Sequence, residues 1–154
     1  MHNDYRIEKE RLPVVVVTDG GERFFGEMFV QAYTRHRSGR EEPVDVLNND
    51  ERFFPLATGD GDTLLFAKTG VRELEIVGDT EGAPETSGAR PVRVEVTLRG
   101  GPTRTGCVYL EVPFDRPRLL DFLNRYALPF LALHTDDGVR LMNVALLERV
   151  RQLD

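Results

Sequence analysis

The sequence predicts a mainly β protein made of two tandem copies of one small, bent antiparallel β-barrel unit, each with a single short helical turn. Three observations carry that expectation. Leu12, Val14 and Val16 stand eighty residues before Val92, Val94 and Val96, and at the same offset Gly20-Gly21 precedes Gly100-Gly101 and Gly26 precedes Gly106. The correspondence continues downstream with small changes of length. Asp45-Val-Leu-Asn48 answers Asp121-Phe-Leu-Asn124, Phe53-x-x-Leu56 answers Phe130-x-x-Leu133, and Asp60-Gly61-x-x-Leu64-Leu65 answers Asp137-Gly138-x-x-Leu141-Met142. Self-similarity on this scale implies two similar folding units side by side. Finally, short runs of alternating apolar and polar residues are bounded by Gly, Pro and Asp, the period-two pattern of half-buried strands.

Residues 1–10 read as a polar leader, 11–77 as the first barrel repeat, 78–90 as a linker rich in small and breaker residues, and 91–154 as the second repeat. The valine run at 12–18 predicts a strand, and Asp19-Gly20-Gly21 a hairpin turn into a return strand from Phe24 to Ala32. Gly26 inside that strand predicts a bulge or a sharp bend. Residues 35–43 form a charged loop. Asp45–Asn49 reads as one helical turn with Asp45 as its N-cap, and the matching Asn48 and Asn124 as left-handed residues at the ends of their turns. Residues 52–57 and 64–68 predict strands joined by the turn Gly59-Asp60-Gly61-Asp62. Val71–Val77 reads as an edge strand. The second repeat predicts strands near 92–98 and 104–112, a helix near 117–126, and strands near 129–135 and 139–144. The end, from Ala145, favours helix by composition but is expected to follow Val71–Val77 as a short kinked strand. Each copy is near the lower size for an independent core, so the two are expected to share apolar surface.

Composition excludes several classes. The net charge is −6 with no basic block, which opposes nonspecific affinity for a nucleic-acid backbone. Lys9 and Lys68 are the only lysines, so nearly all positive charge is guanidinium, suited to carboxylate or phosphate partners. Cys107 is the single cysteine, which rules out an intramolecular disulfide, and its apolar setting reads as a buried thiol. No stretch approaches the roughly 20 apolar residues of a membrane span, and the polar N-terminus is unlike a signal peptide. The expected location is the cytoplasm.

The histidines are His2, His36 and His134. His134-Thr-Asp136-Asp137 has metal-ligand chemistry but reads as a turn in which Asp side chains bond the nearby backbone. Gly59-Asp60-Gly61-Asp62 lacks the spaced acids and closing Glu of a calcium loop. No nucleophile sits beside an oriented base, and the Gly-Gly pairs lead into strands, not helices. No catalytic residue, metal site or cofactor is therefore expected. The candidate ligand residues are Arg35, Arg37 and Arg40 in the charged loop, with Arg116 and Arg118 before the second helix. Closely spaced guanidinium groups clamp phosphates, though the paired motifs with which PilZ proteins hold cyclic dinucleotides are absent.

Val92-x-Val-x-Val-x-Leu-x-Gly-Gly…Gly106-x-Val108-x-Leu110, followed by Leu141-Met142-Asn143…Leu147-x-x-Val150, is similar to the two-part pattern of Sm-like barrels. That resemblance implies an SH3-like or Sm-like fold, in a family that often binds RNA uridines. Asp115 and Asn124 are too far apart to form the family's Asp…Asn loop, and Lys68-Thr69-Gly70 matches its later Arg-Gly element loosely. The paired Asp-[Val/Phe]-Leu-Asn…Phe-x-x-Leu signature also resembles bacterial proteins of unassigned function. In outline the doubled barrel resembles chemotaxis coupling proteins. The functional expectation is a non-catalytic interaction or regulatory module that meets a protein partner through exposed strand edges, or itself as a homo-oligomer. The alternative is a binder of a small ligand such as a cyclic dinucleotide, or of RNA, through the Arg loops.

Overall fold

The structure, a computed structural model, describes residues 9–32, 41–78, 89–111 and 118–153. It is mainly β, and all ten described strands belong to one antiparallel sheet. In the first half β1 (Lys9–Thr18), β2 (Arg23–Gln31), helix α1 (Pro43–Asn48), β3 (Phe53–Ala57), β4 (Thr63–Ala67), a short 3-10 turn and β5 (Val71–Ile76) follow one another. The second half has the same order: β6 (Ala89–Leu98), β7 (Thr103–Glu111), α2 (Leu119–Arg125), β8 (Phe130–Thr135), β9 (Gly138–Asn143), a 3-10 turn and β10 (Leu147–Gln152). Across the sheet the order is β10-β6-β7-β8-β9-β5-β1-β2-β3-β4. Two separately closed barrels are thus replaced by one continuous open sheet, joined where β5 meets β9.

The rungs of the two halves correspond. Val14 faces Gly26 as Val94 faces Gly106, and Phe54 faces Phe66 as Leu131 faces Met142. Val16 faces Leu74 as Val96 faces Val150, and each of these ladders skips one residue, Arg72 or Glu148, at the same place.

Two cores form. The first gathers Val14, Val16, Met28, Val30, Leu47, Phe54, Leu56, Val71 and Leu74 and also takes Phe130 and Leu141 from the second half. The second holds Val94, Val96, Leu98, Val108, Leu110, Leu119, Leu131, Leu133 and Met142. Alternate residues of a strand point to opposite faces, so β8 and β9 serve a different core on each face. That sharing follows from the small size of each half, whose own residues bury too little apolar surface alone.

Several sequence expectations are corrected. Lys9 and Glu10 belong to β1, not to a leader, and pair with Gln31 and Val30; residues 1–8 lie outside the described residues. Ala89 and Arg90 belong to β6, while 79–88 of the expected linker lie outside the described residues. Gly26 makes no bulge, because the β1–β2 ladder runs through it without a shift. A β-carbon there would stand 2.6 Å from the Ala57 carbonyl oxygen, and one on Gly106 would stand 2.6 Å from the His134 carbonyl oxygen. At these two points β2 approaches β3, and β7 approaches β8, closer than a side chain allows. Asp45 sits in the first turn of α1, with Glu42 as the N-cap, and its carboxylate accepts from the Glu42 N–H at 2.8 Å. β5 is not an edge strand; it lies between β1 and β9. The C-terminal segment is a 3-10 turn followed by strand, as its match to β5 leads one to expect.

Candidate functional site

The joint between the halves is built from β5 and β9, whose rungs are Glu73 with Met142, Leu74 with Leu141, and Glu75 with Arg140. Leu74 and Leu141 turn into the first core. Glu73 turns the other way and is fully buried. A carboxylate removed from water requires charged or hydrogen-bonding partners. It receives Arg140 Nη1 at 3.1 Å and Arg104 Nη2 at 3.3 Å, both from the second half. Arg140 also reaches Glu75 at 3.5 Å, and Glu75 reaches Arg23 at 3.5 Å, so a chain of alternating charges crosses the boundary. Next to it, buried Arg72 donates to the Asp19 carbonyl at 2.7 Å. A β-carbon on Gly101 would lie 3.1 Å from the Arg72 Cδ. The second Gly-Gly pair therefore does more than turn a hairpin: it leaves room for an arginine from the other half.

A polar latch closes the other side. Asn48, at the end of α1, donates to the Phe130 carbonyl at 3.0 Å and accepts from the Phe130 N–H at 2.8 Å. Tyr126 also donates its hydroxyl to the Phe130 carbonyl, and its burial, partly offset by the bond to Asn48, raises its pKa above the ordinary tyrosine value. Asn143 donates to the Val71 carbonyl at 2.9 Å. Asn48 was expected as a left-handed cap, but among the described residues no non-glycine residue has positive φ. Its side chain spans the two halves instead.

The ladder also places Cys107 opposite His134. Their side chains share no hydrogen bond; the His134 ring meets Tyr109 edge-on, with centroids 4.9 Å apart, and burial lowers its pKa. Cys107 is half-buried, not buried as its apolar run suggests. In the turn after His134 it is the Thr135 hydroxyl, not an aspartate, that bonds the backbone, accepting from the Asp137 N–H at 3.2 Å and donating to the Gly138 carbonyl at 2.8 Å.

At the ends of the sheet β4 and β10 each have a strand neighbour on one side only, among the described residues. Large apolar side chains stand in water near the β4 end: Phe53 and Leu65 on the face of β3 and β4 opposite the core residues Phe54 and Leu56, and Phe25 on β2. Exposed apolar groups gathered at an unpaired strand mark a surface for association. The repeat motifs contain Phe53 and Leu65, but the sequence marks none of the three as a surface site. Of the candidate arginines, Arg35, Arg37, Arg40 and Arg116 lie outside the described residues. Arg118 is exposed at the N-cap of α2. Among the described residues no helix is long and apolar enough to cross a membrane. No protein-family model, curated protein or solved structure matches the chain.

Proposed function

We propose that this protein is a cytoplasmic, non-catalytic interaction module made of two merged copies of one small bent β-barrel unit, and that it docks a protein partner along the β4 edge. The rung-by-rung correspondence of the halves supports the two-unit reading. The observation that carries the docking reading is the open edge itself, where Phe53 and Leu65 are exposed beside a strand that has, among the described residues, a neighbour on one side only. An incoming strand satisfies those groups, while its side chains cover the apolar ones. A phosphate or RNA clamp of Arg35, Arg37, Arg40, Arg116 and Arg118 has no described geometry to support it.

Replacing Leu65 by a photoreactive amino acid and irradiating intact cells tests this reading. Cross-linking to one protein, lost when Phe53→Asp is added, is the expected result. Adducts with RNA, or none at all, would contradict it.

A further inference from the structure

The internal joint has an unfilled counterpart at the ends of the sheet. β9 lies in the second half where β4 lies in the first, and β5 lies in the first where β10 lies in the second. Within the chain, β9 pairs with β5. Its three rungs transpose, through the matching ladders of each half, to Phe66 opposite Arg149, Leu65 opposite Val150, and Leu64 opposite Arg151.

Burial at matching positions shows what the outer edge lacks. Phe130 is 1% exposed and its counterpart Phe53 is 51% exposed. The ladders match Leu141, opposite Ala132, to Leu65, opposite Pro55, one residue away from the sequence alignment; Leu141 is 1% exposed and Leu65 is 69% exposed. Asn48 holds the Phe130 backbone by two hydrogen bonds, while the side chain of its counterpart Asn124 is exposed and holds no strand among the described residues. Phe130 and Leu141 are covered because a neighbouring unit receives them in its core. Phe53 and Leu65 occupy the same positions with no strand beyond β4 among the described residues.

We propose that the partner at this edge is a second copy of this chain: β4 of one copy adds antiparallel to β10 of the next. Leu65 enters beside Val150 at the second core, and Asn124 takes the Phe53 backbone as Asn48 takes that of Phe130. The polar layer keeps the two joints distinct. At the outer joint Arg149 stands where Glu73 does, paired with Glu148 of its own strand at 2.9 Å, and Phe24 and Leu64 stand where Arg104 and Arg140 do. Pairing β4 with the inner strand β5 would strip the buried Glu73 of both cations, so the wrong joint is penalised. The two surfaces of the outer joint differ, so each association leaves one free edge of each kind, and addition continues until a ring closes. The identity of the partner rests on the edge-docking reading above.

Light scattering coupled to size exclusion on the full chain tests it. The wild type is expected to be an oligomer, and Leu65→Arg and Asn124→Arg are each expected to be monomers with unchanged circular dichroism, since both positions are exposed. Mixed one to one, the two variants should form a species of two chains, because each retains the end that the other has lost. Asn124→Ala should weaken association by about tenfold or more, the scale of two lost hydrogen bonds. An oligomer insensitive to both variants, or variants that stay monomeric when mixed, overturns the proposal. A monomeric wild type also overturns it. In that case cross-linking from Leu65 to a different protein leaves edge docking standing, and no cross-link removes both.

Discussion

Asn48 and Phe130 are joined by a pair of hydrogen bonds, at 3.0 and 2.8 Å, although they belong to different halves of the molecule. The amide of Asn48 matches the donor and acceptor of one peptide unit, much as a neighbouring strand would, so α1 grips the start of β8 without a ladder of its own. Removing it leaves a backbone N–H without that partner beside a buried ring.

Asn48→Ala should therefore lower the unfolding free energy by about 2–4 kcal/mol, the cost of leaving two part-buried polar groups without this partner. In the same urea titrations, run in the Leu65→Arg background to hold the assembly state fixed, Asn124→Ala should change stability by less than about 0.5 kcal/mol. Equal losses at the two positions would show that Asn48 is only a helix-end residue.

Glu73 predicts an asymmetry between breaking and replacing. Glu73→Ala leaves Arg104 and Arg140 facing each other without the carboxylate and should cost about 3–5 kcal/mol. The triple change Glu73→Leu, Arg104→Leu, Arg140→Met removes the buried carboxylate and both of its cations together, leaves Glu75 with Arg23, and should restore stability to near that of the wild type or above it. Chemical denaturation of the wild type and the two variants checks this. A triple variant as unstable as Glu73→Ala would mean that the charges contribute more than their desolvation removes.

Much of the fold is legible in local pattern. The valine runs, the Gly-Gly turns and the helical turns are set by neighbours in sequence, and the structure places strands and helices where those signals lie. The failures share one cause. Glu73 and Glu75 alternate with apolar residues as an exposed strand would, yet the cations that let Glu73 be buried come from β7 and β9, distant in the chain. Asn48 looks like a cap because its local context is a helix end; its partner is across the molecule. The repeated Asp-x-Leu-Asn and Phe-x-x-Leu signatures did contain the joint, since Asn48 and Phe130 are members of the two motifs. What they could not show is that the Asn of one half meets the Phe of the other.

The close approaches at Gly26 and Gly106 predict selective intolerance. Gly26→Ala and Gly106→Ala each bring a β-carbon to 2.6 Å from a backbone carbonyl oxygen and should cost about 3 kcal/mol or more, since backbone must move. Gly59→Ala and Gly70→Ala, with nothing within 4 Å and no positive φ, should stay within about 1 kcal/mol of the wild type. Thermal melts that rank the four alike would contradict this assignment.

His134 sets an expected pH dependence. Burial lowers its pKa in the folded state below the ordinary histidine value of 6.5, so unfolding takes up a proton as pH falls. Its contribution to stability is fully present above about pH 6.5 and is lost as pH drops toward the folded value. His134→Gln should flatten the difference in unfolding free energy between pH 7.5 and pH 5.5. An unchanged difference would assign the pH dependence to other groups.

The proposed assembly has one register, in which Leu65 of one copy lies opposite Val150 of the next. Opposed residues in an antiparallel ladder bring their β-carbons to about 4.5–5.5 Å, near enough for a disulfide after small adjustment. In a Cys107→Ser background, which removes the only native thiol, Leu65→Cys combined with Val150→Cys should give a ladder of covalent multimers on a non-reducing gel after mild oxidation. Neither substitution alone should give that ladder. Monomers throughout, or multimers formed as readily with the cysteine moved from Val150 to Glu148, would contradict it.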